Sequence, residues 1–325
     1  MFRILSTLML SAIFIFSSLA SAEQYTAAVL YSKDGKGDKA FNDAASEGVT
    51  LAKKNLAVNI LEVEPRNLSD AQDQVVKIAK DNIPLVIAIG FPYIDIIKDL
   101  STRFPKTHFA MIDGVLNAPN VANYVFREHE GSFLAGYIAA KTSKSDHLGF
   151  VGGMPIPPVQ RFLAGYKQGI KLAKSNAKII IEYVSEHDTT AWNNPTKAKS
   201  IARDQFSKGV DIIYAVAGGS GTGVLEAAKE AKKYAIGVDI NQNSFAPGYV
   251  IASTLKRVDQ AVLRAISDQK SGTFKSGTYE LGIKDLGVDL ALDEYSKNLI
   301  KPGILKDIED LKKKIAAGAL TVQKE

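Results

Sequence analysis

Two stretches of this chain repeat one another, and the repeat limits the fold more than any other feature. "FNDAASEGVTLAKKNLAVNILEV" begins at Phe41, and "FLAGYKQGIKLAKSNAKIIIEYV" begins at Phe162. Each places a glycine seven residues after its phenylalanine, Gly48 and Gly169, and each continues Leu-Ala-Lys-x-Asn. In both, an apolar spacing of helical period gives way to a β-branched run, "VNILEV" or "KIIIEY". The parallel extends further. "QVVKIAKDNIPLVIAIG" ends at Gly90 and "KSIARDQFSKGVDIIYAVAGG" at Gly218-Gly219; then "HFAMIDG" carries Asp113 and "YAIGVDI" carries Asp239. Two runs of β-α-β-α-β order predict an α/β protein of two doubly wound, parallel-sheet lobes. Short apolar strands buried on both faces are what such sheets need. Ligands of open parallel sheets bind beyond the carboxyl ends of the strands. Gly90, Asp113, Gly218 and Asp239 are therefore expected on opposite walls of one central cleft, an arrangement that suits a two-lobed binder better than an enzyme.

The N-terminal "MFRILSTLMLSAIFIFSSLASAEQ" has one early cation, Arg3, an apolar run, and the small-x-small pattern Ala20-Ser21-Ala22. Residues 1–22 thus predict a cleaved secretory signal peptide; the apolar core is too short for a membrane span. The chain has no cysteine. That excludes disulfides, thiolate catalysis, zinc–thiolate sites and lipid attachment to an N-terminal cysteine. A free periplasmic protein, rather than a lipoprotein, is the expectation. The formal net charge of +5 is spread rather than clustered, which argues against a nucleic-acid partner. About 300 residues after cleavage suits two domains.

Few motifs carry catalytic chemistry. "AGGSGTG", Ala217 to Gly223, has Walker spacing between Gly218 and Gly223, but Val224-Leu225 stand where Lys-Ser/Thr is required. Nor does it register as G-x-G-x-x-G, and Thr222 replaces the second glycine of a nucleophile elbow. What remains is a strand-to-helix turn whose backbone N–H groups suit a polar ligand atom. His108, His129, His147 and His187 have no partners at metal-ligand spacing, so neither a metal nor a cofactor is expected, and structural or solvent-facing roles suit all four. In "SKDGKGDKAFNDAASEG" the acids Asp34, Asp38 and Asp43 crowd a predicted helix start, where Asp38 suits capping. Phe41 either packs under its helix, as Phe162 is expected to do, or faces the cleft.

Asp113 and Asp239 are strand-end carboxylates at matching positions, suited as an ionised pair to accept hydrogen bonds from vicinal hydroxyls. Lys256, in "STLKRVD", would balance their charge or reach a hydroxyl. Its alternative is a solvated lysine at a helix start, where it opposes the helix dipole. The lone tryptophan, Trp192, lies in the polar stretch "HDTTAWNNPTK". Such a ring is either half-buried packing or a surface on which something flat lies.

Together, "DKAFNDAASEG", "FREHEGSFLAGYIAA", "GFVGGMPIPPVQRFLAGYKQG", "AGGSGTGV" and "GVDINQ" resemble the basic membrane protein family of ABC-transporter substrate-binding proteins. That family includes the bacterial purine nucleoside receptors, and the likeness covers nearly all of the chain after the signal peptide. The resemblance implies a type I periplasmic binding protein fold, two α/β lobes joined by a hinge and closing on a central ligand cleft. It places the first lobe at 23–127 and 256–284 and the second at 128–255 and 285–325. It implies a base sandwiched between the rings of Phe41 and Trp192, polar contacts from Asp34 and Asn42, and a ribose held by Asp113, Asp239 and Lys256. Gly218 and Gly219 would admit close backbone approach.

The implied role is a monomeric periplasmic receptor that captures a purine nucleoside and hands it to a membrane ABC permease, with no catalysis of its own. Three departures bear on the ligand: Ala40 where relatives often carry Ser, Asn241 where they often carry a second Asp, and Trp192 where Phe is commoner. Another heteroaromatic, such as a flavin vitamin, or a sugar is the alternative cargo. A nucleoside hydrolase is the rival of another class, without a metal set or nucleophile to support it.

Overall fold

The computed structural model describes residues 25–325; the predicted signal peptide lies outside them. Two six-stranded sheets organise the chain. The first takes β1 (Ala27–Leu30), β2 (Ile60–Val63), β3 (Leu85–Ile89), β4 (His108–Ile112) and β5 (Val121–Phe126), and the second takes β6 (His147–Gly152), β7 (Lys178–Tyr183), β8 (Ile212–Val216), β9 (Tyr234–Gly237) and β10 (Val250–Lys256). Late in the chain β11 (Gly277–Leu281) returns to the first sheet and β12 (Val288–Ala291) to the second. The spatial orders are β11-β5-β4-β3-β1-β2 and β12-β10-β9-β8-β6-β7. All pairings are parallel except that of β12, which runs antiparallel to β10. The duplication read from the sequence is therefore a duplication of sheets.

Alternation along the buried strands explains the layering. Leu85, Ile87 and Ile89 of β3 pack toward α1 (Phe41–Leu56) and α8 (Val258–Lys270), whereas Val86 and Ala88 face α2 (Leu68–Lys80) and α3 (Ile94–Arg103). The second sheet does the same. Phe150, Ile212 and Tyr214 face α4 (Glu128–Thr142) and α5 (Pro157–Ala173); Val151, Ile213 and Ala215 face α6 (Pro195–Ser207) and α7 (Gly221–Ala231). Helix α9 (Pro302–Ala316) lays Ile304, Ile308, Leu311 and Ile315 onto the same core. With sheets covered on both sides, near-continuous apolar strands such as "LVIAI" and "IIYAV" are the expected solution.

The chain passes between the sheets at three neighbouring places: after β5, after β10, and between β11 and β12. Arg127 and Arg257 sit at the first two crossings in nearly one conformation, φ −91° and ψ 62° against φ −80° and ψ 57°. Both lie close to an inverse γ-turn. Their backbone N–H groups donate to Leu281 O and Gly287 O of the third crossing, each at 2.9 Å. Glu130 fastens the same place by accepting from Ile283 N at 2.7 Å.

A cavity between the two lobes

A cavity of about 480 Å³ lies beyond the carboxyl ends of both sheets. In each it opens where neighbouring strands leave in opposite directions, β1 beside β3 and β6 beside β8, as expected for doubly wound sheets. All nine residues singled out in the sequence line it: Asp34, Phe41, Asn42, Asp113, Trp192, Gly218, Gly219, Asp239 and Lys256.

The first wall is set by the loop between β1 and α1. Asp38 caps that helix, its carboxylate accepting from the backbone N–H groups of Ala40, Asn42 and Asp43 at 2.9, 2.8 and 3.1 Å. This fixes Phe41 at the first helical turn with its ring half-exposed to the cavity. Asn42 is buried, and its amide pairs with Ser32, accepting from Ser32 N at 3.0 Å and donating to Ser32 Oγ at 2.9 Å. Much of its hydrogen-bonding capacity is thus spent on holding the loop. Burial raises the Asp34 carboxyl above its ordinary value, offset in part by Lys33 and by Asn193 on the opposite wall. Phe91 and Tyr93 complete this side.

On the second wall Trp192 ends a short 3-10 turn after β7. Gly153 makes room for it: a Cβ at that position would lie 2.2 Å from the indole ring. The turn is tied to the glycine-rich segment by Ser220, whose hydroxyl donates to Ala191 O at 2.7 Å and accepts from Asn194 N at 2.6 Å. Gly219 faces the first lobe, where a Cβ would come within 3.2 Å of Asp38 O. Here the walls touch, and Gln242 Nε2 donates to Lys39 O at 2.9 Å close by. Phe162, expected only to pack, is 5 % exposed and also lines the cavity. Its position in α5 allows both.

Charge is concentrated in the floor. Lys256 ends β10 and is 3 % exposed, so it is neither solvated nor at a helix start. Its Nζ donates to an Asp113 oxygen and, at 3.0 Å, to Glu128. Phe126, Phe41 and Phe162 enclose the ammonium with ring centroids 5.1, 5.3 and 5.9 Å away. Burial pulls the lysine toward neutrality, but the Asp113 and Glu128 carboxylates outweigh it and hold it charged. Glu128 is also buried and accepts twice from Arg161, at 2.6 and 3.2 Å. Despite burial, Lys256 and Arg161 keep it below the usual carboxylate range.

Asp239 contrasts with these groups. Its carboxylate takes no hydrogen bond from the described residues, and burial pushes it up to about 7, against the pull of Lys256. The ionised pair expected at Asp113 and Asp239 is thus two carboxyls that burial raises, one anchored through a single oxygen by Lys256 with its other oxygen buried and unpartnered among the described residues, the other pushed up to about 7. Both residues hold left-handed backbone, φ 60° and 66°. Side chains rarely adopt it, although Asp tolerates it better than most, and it accumulates at binding sites.

Sequence reasoning missed Glu128 and Arg161. The signal was in "FREHEGSFLAGYIAA", which forms a helix buried on every side from Glu128 to Ala140. Acids in such a helix need partners. His129, one of the four histidines given a structural or solvent-facing role, lies inside this helix and is fully buried, with no partner for either ring nitrogen. Burial, with Arg127 beside it, pushes it down to about 4.

Comparison with known proteins gives consistent results. The family model "ABC transporter substrate-binding protein PnrA-like" matches residues 25–325. Basic membrane protein D of Borreliella burgdorferi is 38% identical over 228 residues, covering 68% of this chain and 65% of that protein's length. The CD4+ T-cell-stimulating antigen of Listeria monocytogenes is 31% identical over 93% of this chain and 89% of its own. Among solved structures, an ABC transporter solute-binding protein from Aeropyrum pernix superposes with a TM-score of 0.83 at 28% identity, covering 93% of this chain and 94% of that one.

Proposed function

The chain belongs to the PnrA-like family of ABC transporter substrate-binding proteins, and from that premise we propose that it captures a purine nucleoside between its lobes. Its fold is that of type I periplasmic binding proteins. Proteins of this family carry small molecules to a membrane permease and are not enzymes. No helix among the described residues is long and apolar enough to cross a membrane. A periplasmic location after removal of residues 1–22, and action as a monomer, belong to this proposal.

One observation supports the nucleoside most directly. Half-exposed rings, Phe41 and Trp192, stand on opposite walls of a cavity whose floor carries Asp113, Asp239 and Lys256. A flat heterocycle fits between the rings, and a ribose supplies hydroxyl donors to the carboxylates. Asp34, Asn42, Gly218 and Gly219 line the rest of this proposed site. Stacking tolerates many bases. The polyol end selects more sharply, because a ligand without hydroxyls leaves buried carboxylates unsatisfied. Closure follows only from tighter binding to the closed form.

The test is a fluorescence titration, excited at the single tryptophan, with adenosine, guanosine, inosine, ribose and riboflavin in turn. A saturable change with nucleosides is the expected result. A response to riboflavin alone would change the cargo, and silence with an unshifted Tm would overturn the ligand class. Asp239→Ala should weaken adenosine about 100-fold, the equivalent of roughly 3 kcal/mol for an unmade hydrogen bond to a charged group, and adenine far less. Equal losses for both would remove the carboxylate from the polyol contact.

A further inference from the structure

Four charged side chains form one line of alternating sign through the hinge: Arg161, Glu128, Lys256 and Asp113. They come from α5, the start of α4, the end of β10 and the turn after β4. The line therefore begins in the second lobe, passes through both of the first two crossings and ends in the first lobe. Glu128 is its interior anion. One of its oxygens accepts from Arg161 alone at 2.6 Å; the other is shared between Arg161 at 3.2 Å and Lys256 at 3.0 Å. Its side chain is wholly buried, so no water competes for the lysine.

We propose that Glu128 is a positioning residue for the cavity floor: it parks the Lys256 ammonium on Asp113 and so leaves Asp239 as the open acceptor for ligand. The proposal rests on reading the cavity as the ligand site, yet Glu128 is absent from the residues lining it. Geometry supports the assignment. An ammonium paired with two carboxylates and enclosed by three aromatic rings is held in place from several directions. Without Glu128, Lys256 is free to turn toward Asp239, which lines the same cavity and whose backbone O accepts from Lys256 N at 2.9 Å. It would then occupy the acceptor that a ligand hydroxyl needs.

The charges facing Asp239 set the sign of the test. Asp38 from the β1–α1 loop, Asp113 after β4 and Glu128 from α4 push its carboxyl up; Lys256 from β10 pulls it down; Tyr214 of β8 lies near it as a neutral phenol. Neutralising Glu128 removes an upward push and releases Lys256, so both effects lower it.

The experiment compares wild type with Glu128→Gln, which keeps shape and an acceptor but not the charge. Carboxyl carbon NMR of the ligand-free proteins should show the Asp239 midpoint falling in the variant. Adenosine affinity should fall about tenfold, the size of one charge-assisted hydrogen bond, while adenine changes less. An unmoved midpoint in a folded variant overturns the proposal, and so does an equal loss for nucleoside and base. Should Glu128→Gln not fold, Arg161→Gln serves. It removes a cation from Glu128 but keeps the carboxylate that holds Lys256, so the Asp239 midpoint should not fall; a downward shift like that expected of Glu128→Gln overturns the proposal. Because the titration needs no ligand, a wild type that binds no nucleoside would end the functional reading without deciding this one.

Discussion

The first two crossings between the lobes are one backbone design carrying opposite chemistry. Each is a strand end, an arginine near an inverse γ-turn, and a helix start. The residues read Phe126-Arg127-Glu128 after β5 and Lys256-Arg257-Val258 after β10. Phe126 thus stands where its counterpart is Lys256, and Glu128 where its counterpart is Val258. The two departures meet: Glu128 accepts from Lys256 at 3.0 Å, and the Phe126 ring lies 5.1 Å from the same ammonium. The duplicated fold therefore supplies the frame, and the cavity floor is built from the places where the copies stopped being alike. Neither crossing could assemble this ion pair alone, which puts the charged floor of the cavity where the chain passes between the two sheets.

Breaking that asymmetry at its cation should have the largest effect. Lys256→Met keeps a long apolar stem but leaves Asp113 and Glu128 as buried acids, with Arg161 still serving Glu128. Stripping a buried pair of one partner costs about 3–5 kcal/mol. The loss should be greatest at high pH and shrink in acid, because the stranded carboxyls, now raised, neutralise themselves by taking up protons. Phe126→Leu, at the matching position, should cost only about 1–2 kcal/mol, with no dependence on pH. Denaturant midpoints of the two variants at pH 5 and pH 8 would measure the difference; parallel losses at both would mean that the lysine is held by packing rather than charge.

The strand-end carboxylates give a second, smaller contrast. Asp113 is anchored by Lys256, whereas Asp239 is pushed up to about 7 with no hydrogen bond from the described residues. Between pH 4 and 7 the folded chain therefore holds a proton at Asp239 that the unfolded chain has already lost, so this residue's contribution to stability declines as pH rises through that window. An ordinary value near 3.8 moved to about 7 corresponds to roughly 4 kcal/mol at most. Asp239→Asn should recover part of it. The variant is expected to melt higher than wild type at pH 8 and equally near pH 4, while binding ligand poorly, the exchange of stability for function usual at binding sites. Asp113→Asn should do the opposite and destabilise, because Lys256 loses a partner. Melting curves across pH decide it, and a lower Tm for Asp239→Asn at pH 8 would mean that the carboxylate is satisfied in solution.

What was legible in the sequence follows the same division. The period of the apolar residues and the paired glycines disclose the two sheets, because these features are local and the copies share them. Asp113, Asp239 and Trp192 stand out as a matched pair of strand ends and an aromatic in a polar turn. Glu128 and Arg161 do not. Their partners lie on other elements, 128 and 33 positions away for the two partners of Glu128, and a carboxylate at a helix start reads as an ordinary dipole contact. The protonation of Asp239 was likewise illegible, since burial decides it and burial belongs to the assembled floor. Left-handed backbone at both aspartates leaves no trace in composition.

The smallest contrast concerns the glycines from which the duplication was read. Gly48 of α1 and Gly169 of α5 occupy matching places, and each lies under a crossover helix, α8 or α4. A Cβ at Gly48 would come within 2.5 Å of Asp259 O, and one at Gly169 within 1.9 Å of Phe133 O. Both obstacles are backbone, so neither can rotate away. Alanine gains about 1 kcal/mol of helix propensity over glycine at either place, while overpacking typically costs 1–3 kcal/mol. The difference lies in what can yield. Helix α8 buries one face on the first sheet and leaves Arg264 and Lys270 exposed, whereas α4 is buried from Glu128 to Ala140 and is held by Arg161 at its start. Gly169→Ala should therefore cost about 2 kcal/mol and Gly48→Ala about half that. Because α4 carries Glu128, the second-lobe variant should also disturb the cavity floor and weaken adenosine, while Gly48→Ala should leave binding nearly unchanged. Urea midpoints and a nucleoside titration on the same preparations separate the two effects. Equal losses of stability with equal binding would show that α4 and α8 move alike, and that the asymmetry between the lobes ends at the charged residues.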